Sequence, residues 1–235
     1  MIGIVTTFSD KNFAEYAHQF VNSAKQFVHH GIKMYLYVDN AKPQLSKNMQ
    51  TLGLEATNPQ LTEFKERHKD KDESNFMYGG KRFAHKSYAI YHAAMNSDVE
   101  KLFWFDADTV FQNSITPEYL DKFLPNGMFT CYLGRPGRYT ETGFIGYNLK
   151  HPACEEFMNT YISYYNEDKI YDLPFQTDCH VYDATREQMV AENKITAKDL
   201  TPGMGKSNFN FIHKGFAVHN KGENKLGIRK KNKKK

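Results

Sequence analysis

Apolar and polar positions along the chain change period several times, and each change marks an element. Ile2-Gly3-Ile4-Val5-Thr6-Thr7 is a short apolar run that predicts a buried strand. Apolar residues then recur at Phe13, Ala17, Phe20, Val21, Ala24, Phe27 and Val28, helical spacings that leave one apolar face. Ser9 or Asp10 stands where an N-cap is wanted, and Gly31 where a left-handed C-terminal residue is wanted. Met34-Tyr35-Leu36-Tyr37-Val38 predicts a second strand, ending in Asp39-Asn40. A strand–helix–strand unit this compact implies parallel pairing with a right-handed crossover.

Residues 65–74 are nearly all charged and read as a solvated loop or helix end, with a lid as the alternative; Gly79-Gly80 follow. A helix is expected around Lys86 to Met95, then the apolar strand Leu102-Phe103-Trp104-Phe105. Thr116-Pro117 is a cap with proline at the first helical position and opens a short helix to Phe123. Met128 to Leu133 and Thr142 to Asn148 predict two further strands. His151-Pro152 opens a helix through Tyr165, and another runs from Asp178 past Arg186. Ser207 to His219 alternates like strand and loop. The expectation is one α/β domain over residues 1–228 whose second half departs from simple βαβ alternation, followed by a basic tail, 229–235.

With 235 residues the chain suffices for one large domain, and 40% hydrophobic with 25% charged residues excludes wholesale disorder. The formal charge of +4 is unevenly spread, since six cations fall in the last seven residues. The remainder carries 25 basic against 27 acidic groups, which is not the surface of a nucleic-acid binder. The tail itself is either a disordered solubilising end or a segment that touches anionic surfaces. Cys131, Cys154 and Cys179, odd in number and widely spaced, argue against a disulfide framework and a cysteine zinc site. No apolar run approaches the roughly 18 residues of a membrane span, and no signal peptide precedes the first strand, so a cytoplasmic protein is expected.

The chemistry concentrates in Phe103-Trp104-Phe105-Asp106-Ala107-Asp108-Thr109, where an apolar strand ends in two carboxylates one residue apart. Ligands gather at the carboxyl ends of parallel strands. Charged aspartates there need a partner or a metal, and hard oxygen donors suit Mg²⁺ or Mn²⁺ bridging a phosphorylated substrate. A turn in which both side chains cap backbone amides is the alternative.

This segment resembles the Asp-x-Asp motif of the GT-A nucleotide-sugar glycosyltransferases, most closely the glycogenin and bacterial lipopolysaccharide galactosyltransferase group (family 8). Over most of the chain, Val5 to Asp10 is similar to that group's first strand and turn, Lys86 to a lysine ahead of the motif, and Asp106-Ala107-Asp108-Thr109 to its Asp-Ala-Asp-Thr stretch. Thr142 to Asn148 resembles a further strand, and His219-Asn220-Lys221-Gly222-Glu223-Asn224-Lys225 its His-x-x-Gly-x-x-Lys pattern. The resemblance implies a single Rossmann-like GT-A domain with a mixed, mostly parallel central sheet flanked by helices. It also implies a metal-dependent hexosyl-type transferase taking a UDP-sugar donor and a glycan or other hydroxyl acceptor. Implied metal ligands are Asp106, Asp108 and His219, with His213 as rival. Implied nucleotide contacts are Thr6, Thr7, Phe8, Asp39, Arg82, Lys86, Ala107, Gly222 and Lys225, the two aspartates again included.

Glu141 and Asp178 are the candidates for the transfer chemistry. Asp178 as a general base would invert the anomeric centre, whereas Asp178 orienting the donor sugar fits retention, towards which the resemblance leans. An N-cap is its plainer role. The family has an Asp-Gln pair near this place, where this chain reads Gln176-Thr177-Asp178. Tyr161, Tyr164 and Tyr165 either stack an acceptor sugar or pack the core. Two rival functions are a haloacid-dehalogenase-type phosphatase using Asp106 and Asp108, with Asp178 and Asp183 as later carboxylates, and a non-catalytic carbohydrate-binding protein.

Overall fold

Strand β1 (Ile2–Ser9) runs straight into a helical segment that Ser9 caps, its hydroxyl accepting a hydrogen bond from the Asn12 amide at 3.2 Å. The structure, a computed structural model, describes residues 1–135, 137–201 and 216–220. A turn of α1 (Asp10–Asn12) widens into a π-helical stretch over Phe13–Ala17 before α2 (His18–Phe27). Gly31 does not terminate it as expected. The helix stops on an extended Val28, which bridges to Ile115, and Gly31 is not among the positive-φ residues. Pairing to another segment ended this helix, where the local pattern pointed to a glycine.

Strand β2 (Ile32–Asp39) lies parallel to β1. Three elements that the hydrophobic pattern did not announce follow: β3 (Met49–Gly53), α3 (Leu54–Thr57) and α4 (Pro59–Arg67). β3 is an edge strand with only Met49 buried, so it carries no apolar run to read. Helix α5 (Gly80–Asn96) begins well before Lys86, because the Glu73 carboxylate accepts the Lys81 amide at 2.6 Å and does the work of a cap. Arg82 and Lys86 therefore lie inside a helix.

Beyond it come β4 (Lys101–Phe105), β5 (Thr109–Phe111), and α6 (Pro117–Asp121), which Thr116 caps. Strands β6 (Thr130–Arg135) and β7 (Arg138–Asn148) form a hairpin with Gly137 at φ +70°. β7 thus starts four residues before Thr142, and Glu141 sits within the strand instead of opening it. Helices α7 (Cys154–Asn166) and α8 (Asp178–Ala191), and strands β8 (Ala197–Asp199) and β9 (Ala217–His219), follow, with 3₁₀ turns at Phe76–Tyr78 and Lys169–Asp172.

The seven-stranded sheet has the order β3-β2-β1-β4-β7-β6-β8. Four of its pairings are parallel and two, β4–β7 and β6–β7, antiparallel. It is a mixed, mostly parallel α/β sheet, as expected. Strand β4 is buried at every position, and alternate residues feed two cores. Leu102 and Trp104 pack with α5, α7 and α8 residues such as Tyr88, Met158 and Val181. Phe103 and Phe105 pack with Phe20, Ala24 and Leu120 on the other face. Tyr161 and Tyr165 belong to the first core, sharing Ser87 through their hydroxyls. No helix among the described residues is long and apolar enough to cross a membrane.

The chain builds outward from β1 to β3, then returns to lay β4 on the other side of β1. That reversal opens a crevice at the carboxyl ends of β1 and β4.

Candidate active site

Asp106 is the first residue past β4. Its amide donates to the Gly143 carbonyl at 3.0 Å, and its carboxylate accepts from Trp104 Nε1 at 2.7 Å. Strand β5 then pairs antiparallel with β9, setting Thr109 opposite His219, while the Asn220 amide donates to the Asp108 carbonyl at 3.0 Å. This small ribbon carries His219 Nε2 to 2.8 Å from Asp108 Oδ1 and 3.4 Å from Asp106 Oδ2. One ligand atom from each of the three residues lies within 4.8 Å of the others.

Burial alone would push the Asp106 carboxyl up, but Lys86 and His219 outweigh it and hold the group well below the usual carboxylate range. Burial would likewise depress His219; hydrogen bonds to Asp106 and Asp108 prevail and raise it to about 9. Without metal, His219 is therefore a protonated counter-ion at neutral pH, and a divalent cation binding there must release that proton.

Lys86 reaches from α5 beneath this group. Its Nζ lies 3.1 Å from Asp106 Oδ1 and 2.7 Å from Asp178 Oδ2, and it also donates to the Thr142 carbonyl. Burial disfavours its charge, yet the two aspartates more than restore it, so the ammonium is retained. Asp178 is 4% exposed at the first position of α8; Thr177 is the cap residue, so a plain N-cap role for Asp178 does not hold. It accepts from Thr142 Oγ1 at 2.6 Å besides Lys86. Glu141, also buried, is 3.4 Å from Arg135 Nη1 and accepts the Gly143 amide at 3.2 Å.

These groups line one cleft of about 730 Å³, within the range of ligand sites. Thr7, Phe8, Asp39, Arg82, Lys86, Asp106, Ala107, Asp108, Glu141, Asp178 and His219 all face it. Thr6 does not: its side chain is wholly buried and Thr7 faces the cleft in its place. Gly222, Lys225, His213 and the tail 229–235 lie outside the described residues. Asp183 is committed elsewhere, to the Thr140 amide and hydroxyl and to Arg186, and does not face the cleft.

Several lining residues carried no signal in the sequence. Asn12 and Tyr16 reach the cleft from the π-widened segment, a distortion common at functional sites but without a pattern of its own. Burial, then the charges of Asp108 and Asp106, raise the Tyr16 phenol beyond the normal tyrosine range. Phe76, Met77, Arg135 and Tyr139 come from a turn and a hairpin.

No protein-family model matches the chain, and no curated protein sequence matches it. Solved structures do. Mouse xyloside xylosyltransferase 1, in its apo form, superposes with a TM-score of 0.53 at 12% identity, over 85% of this chain and 84% of that one. The fold is GT-A-like. The bifunctional glycosyltransferase WbbM, apo, matches with a TM-score of 0.50 at 13% identity, over 85% of this chain and 38% of its own. These two structures are of glycosyltransferases, and at such identity the likeness is one of fold.

Proposed function

We propose that the chain is a divalent-metal-dependent glycosyltransferase, moving a hexosyl-type sugar from a nucleotide donor, a UDP-sugar first, to a hydroxyl acceptor. The observation that carries this reading is the convergence of Asp106, Asp108 and His219 at the carboxyl end of β4, on the wall of the large cleft. Two hard carboxylates and an imidazole fit Mn²⁺ or Mg²⁺, and Asp106, Asp108 and His219 would hold the ion. When bound, such an ion supplies positive charge against the departing nucleoside diphosphate.

The chain's own residues do the rest. Thr7, Phe8 and Asp39, at the carboxyl ends of β1 and β2, hold the nucleoside, with Ala107 between the two aspartates alongside; Gly222 and Lys225 are assigned to the diphosphate. Lys86 keeps Asp106 ionised and, 2.7 Å from Asp178 Oδ2, holds that carboxylate in place. With Lys86 at 2.7 Å and the Thr142 hydroxyl at 2.6 Å, Asp178 is a fixed acceptor. We assign it to the donor sugar's hydroxyls, which favours retention at the anomeric carbon. Glu141, held by Arg135, lines the same cleft.

The test is calorimetry and thermal shift with UDP-, GDP-, CMP- and dTDP-sugars, each with Mn²⁺ and with EDTA. Stabilisation by one nucleotide family that EDTA abolishes is expected, since a ligand of the native state raises its stability by mass action. No response from folded protein refutes the reading.

A further inference from the structure

Phe76 is 58% exposed, the largest fraction among the large apolar side chains described, and it faces the cleft. Its backbone is nonetheless pinned. It stands in a single 3₁₀ turn, Phe76–Tyr78, in which Asn75 Oδ1 accepts the Met77 amide and the Asn75 carbonyl the Tyr78 amide, both at 3.0 Å. The Met77 carbonyl accepts the Gln176 amide at 2.8 Å, which ties this turn to the residues leading into Asp178. The Phe76 ring meets Phe83 edge to face, centroids 5.1 Å apart, with the Arg82 guanidinium 5.7 Å from its centre.

A second ring faces the same cleft. Tyr139, from the hairpin beside Glu141, has the Arg135 guanidinium 4.4 Å from its centre. A line of rings continues from it through His180, Phe175 and Tyr78, with centroid spacings of 4.9, 5.1 and 5.8 Å, and returns to the Phe76 turn. An exposed aromatic held this firmly spends little entropy on receiving a ligand. Each ring carries a guanidinium over one face, Arg82 on Phe76 and Arg135 on Tyr139; an exposed ring beside such donors matches a sugar, whose C–H face stacks while its rim of hydroxyls hydrogen-bonds. A lipid acceptor would want a continuous apolar groove, and the guanidinium groups interrupt one here.

We propose that this aromatic rim is the acceptor subsite and that the acceptor is a carbohydrate, a sugar ring stacking on Phe76 and Tyr139. The inference rests on the transferase reading. In the transfer, the acceptor hydroxyl oxygen bonds to the donor's anomeric carbon as the bond to the diphosphate breaks. The hydroxyl proton leaves on the departing diphosphate.

The experiment loads the full chain with Mn²⁺ and UDP, or the nucleotide the panel above selects. It then titrates maltose, cellobiose, lactose, chitobiose and xylobiose, read by saturation-transfer NMR. At least one disaccharide should bind, with Phe76→Ala and Tyr139→Ala each weakening it about tenfold, Phe76→Trp restoring it, and nucleotide affinity holding within twofold. Three results overturn the proposal: no disaccharide binding to loaded wild type, binding indifferent to both substitutions, or Phe76→Ala weakening the nucleotide instead, which would make the ring a platform for the base. If wild type binds no nucleotide at all, the transferase reading fails first, and this inference falls with it.

Discussion

Gly143 is the residue on which the proposed metal site turns. Its carbonyl accepts the Asp106 amide, its amide donates to Glu141, and the His219 ring occupies the space a side chain would take. A Cβ built there stands 2.4 Å from His219 Cε1 and 2.6 Å from Nδ1, where ordinary contact begins at 3.4 Å. In Gly143→Ala the ring must therefore withdraw by about 1 Å. His219 is 4% exposed and already hydrogen-bonded to Asp108, so β9 must yield or the imidazole must leave the two carboxylates. Overpacking of this kind costs about 1–3 kcal/mol of stability. A ligand displaced from its geometry costs on the order of 10–100-fold in metal affinity.

The assay is Mn²⁺ binding in the presence of UDP, followed by electron paramagnetic resonance, beside urea denaturation of the same samples. Gly146→Ala is the control on the same strand. Its Cβ would meet Cys131 Sγ and Phe103 Cε1, each at 2.7 Å, in the core away from the carboxylates. Both variants should lose stability, and only Gly143→Ala should lose Mn²⁺. A Gly143→Ala protein that binds Mn²⁺ within twofold of wild type would refute the reasoning, since His219 would then not need the position it holds.

Asp108→Asn should lower metal-dependent donor turnover by about a hundredfold or more while remaining folded, measured as nucleoside diphosphate release with excess Mn²⁺; undiminished turnover would remove Asp108 from the metal site. Asp178→Leu leaves the buried Lys86 ammonium short of one carboxylate and should cost about 3–5 kcal/mol in urea denaturation, with much of it restored in Lys86→Met/Asp178→Leu; additive losses would show that the pair is not coupled. Burial chiefly, with Lys65 assisting at His85, lowers the pKa of His85 and His92 below 6.5. Their contribution is present above pH 6.5 and is lost as pH falls from there through the depressed folded values, because the unfolded chain takes up protons first. His85→Gln/His92→Gln should therefore flatten the fall in stability between pH 7 and 5, and an unchanged profile would contradict it.

How much of this was legible beforehand depends on where each piece of information resides. β1, α2, β2, β4 and α8 announce themselves, because burying one helix face or a whole central strand requires a periodicity that neighbours in sequence display. Asp106 and Asp108 were legible for a related reason: two charges closing an apolar run need a partner wherever the strand goes. β3 was not, since an edge strand with one buried residue needs no pattern. Nor was the end of α2, which Ile115 decides, nor the start of α5, which Glu73 decides.

The same division runs through the site. Sequence alone marked Asp106, Asp108, His219, Lys86, Glu141 and Asp178 as groups with chemistry. It could not say that Lys86 bridges Asp106 and Asp178, that Arg135 holds Glu141, or that Thr6 faces away from the cleft. Those depend on β7 lying antiparallel beside β4, and on β9 returning to pair with β5. Residue chemistry and local periodicity are written along the chain. Distance between residues far apart in it is set only when the sheet closes, and the charge states and partners of the site follow from that distance.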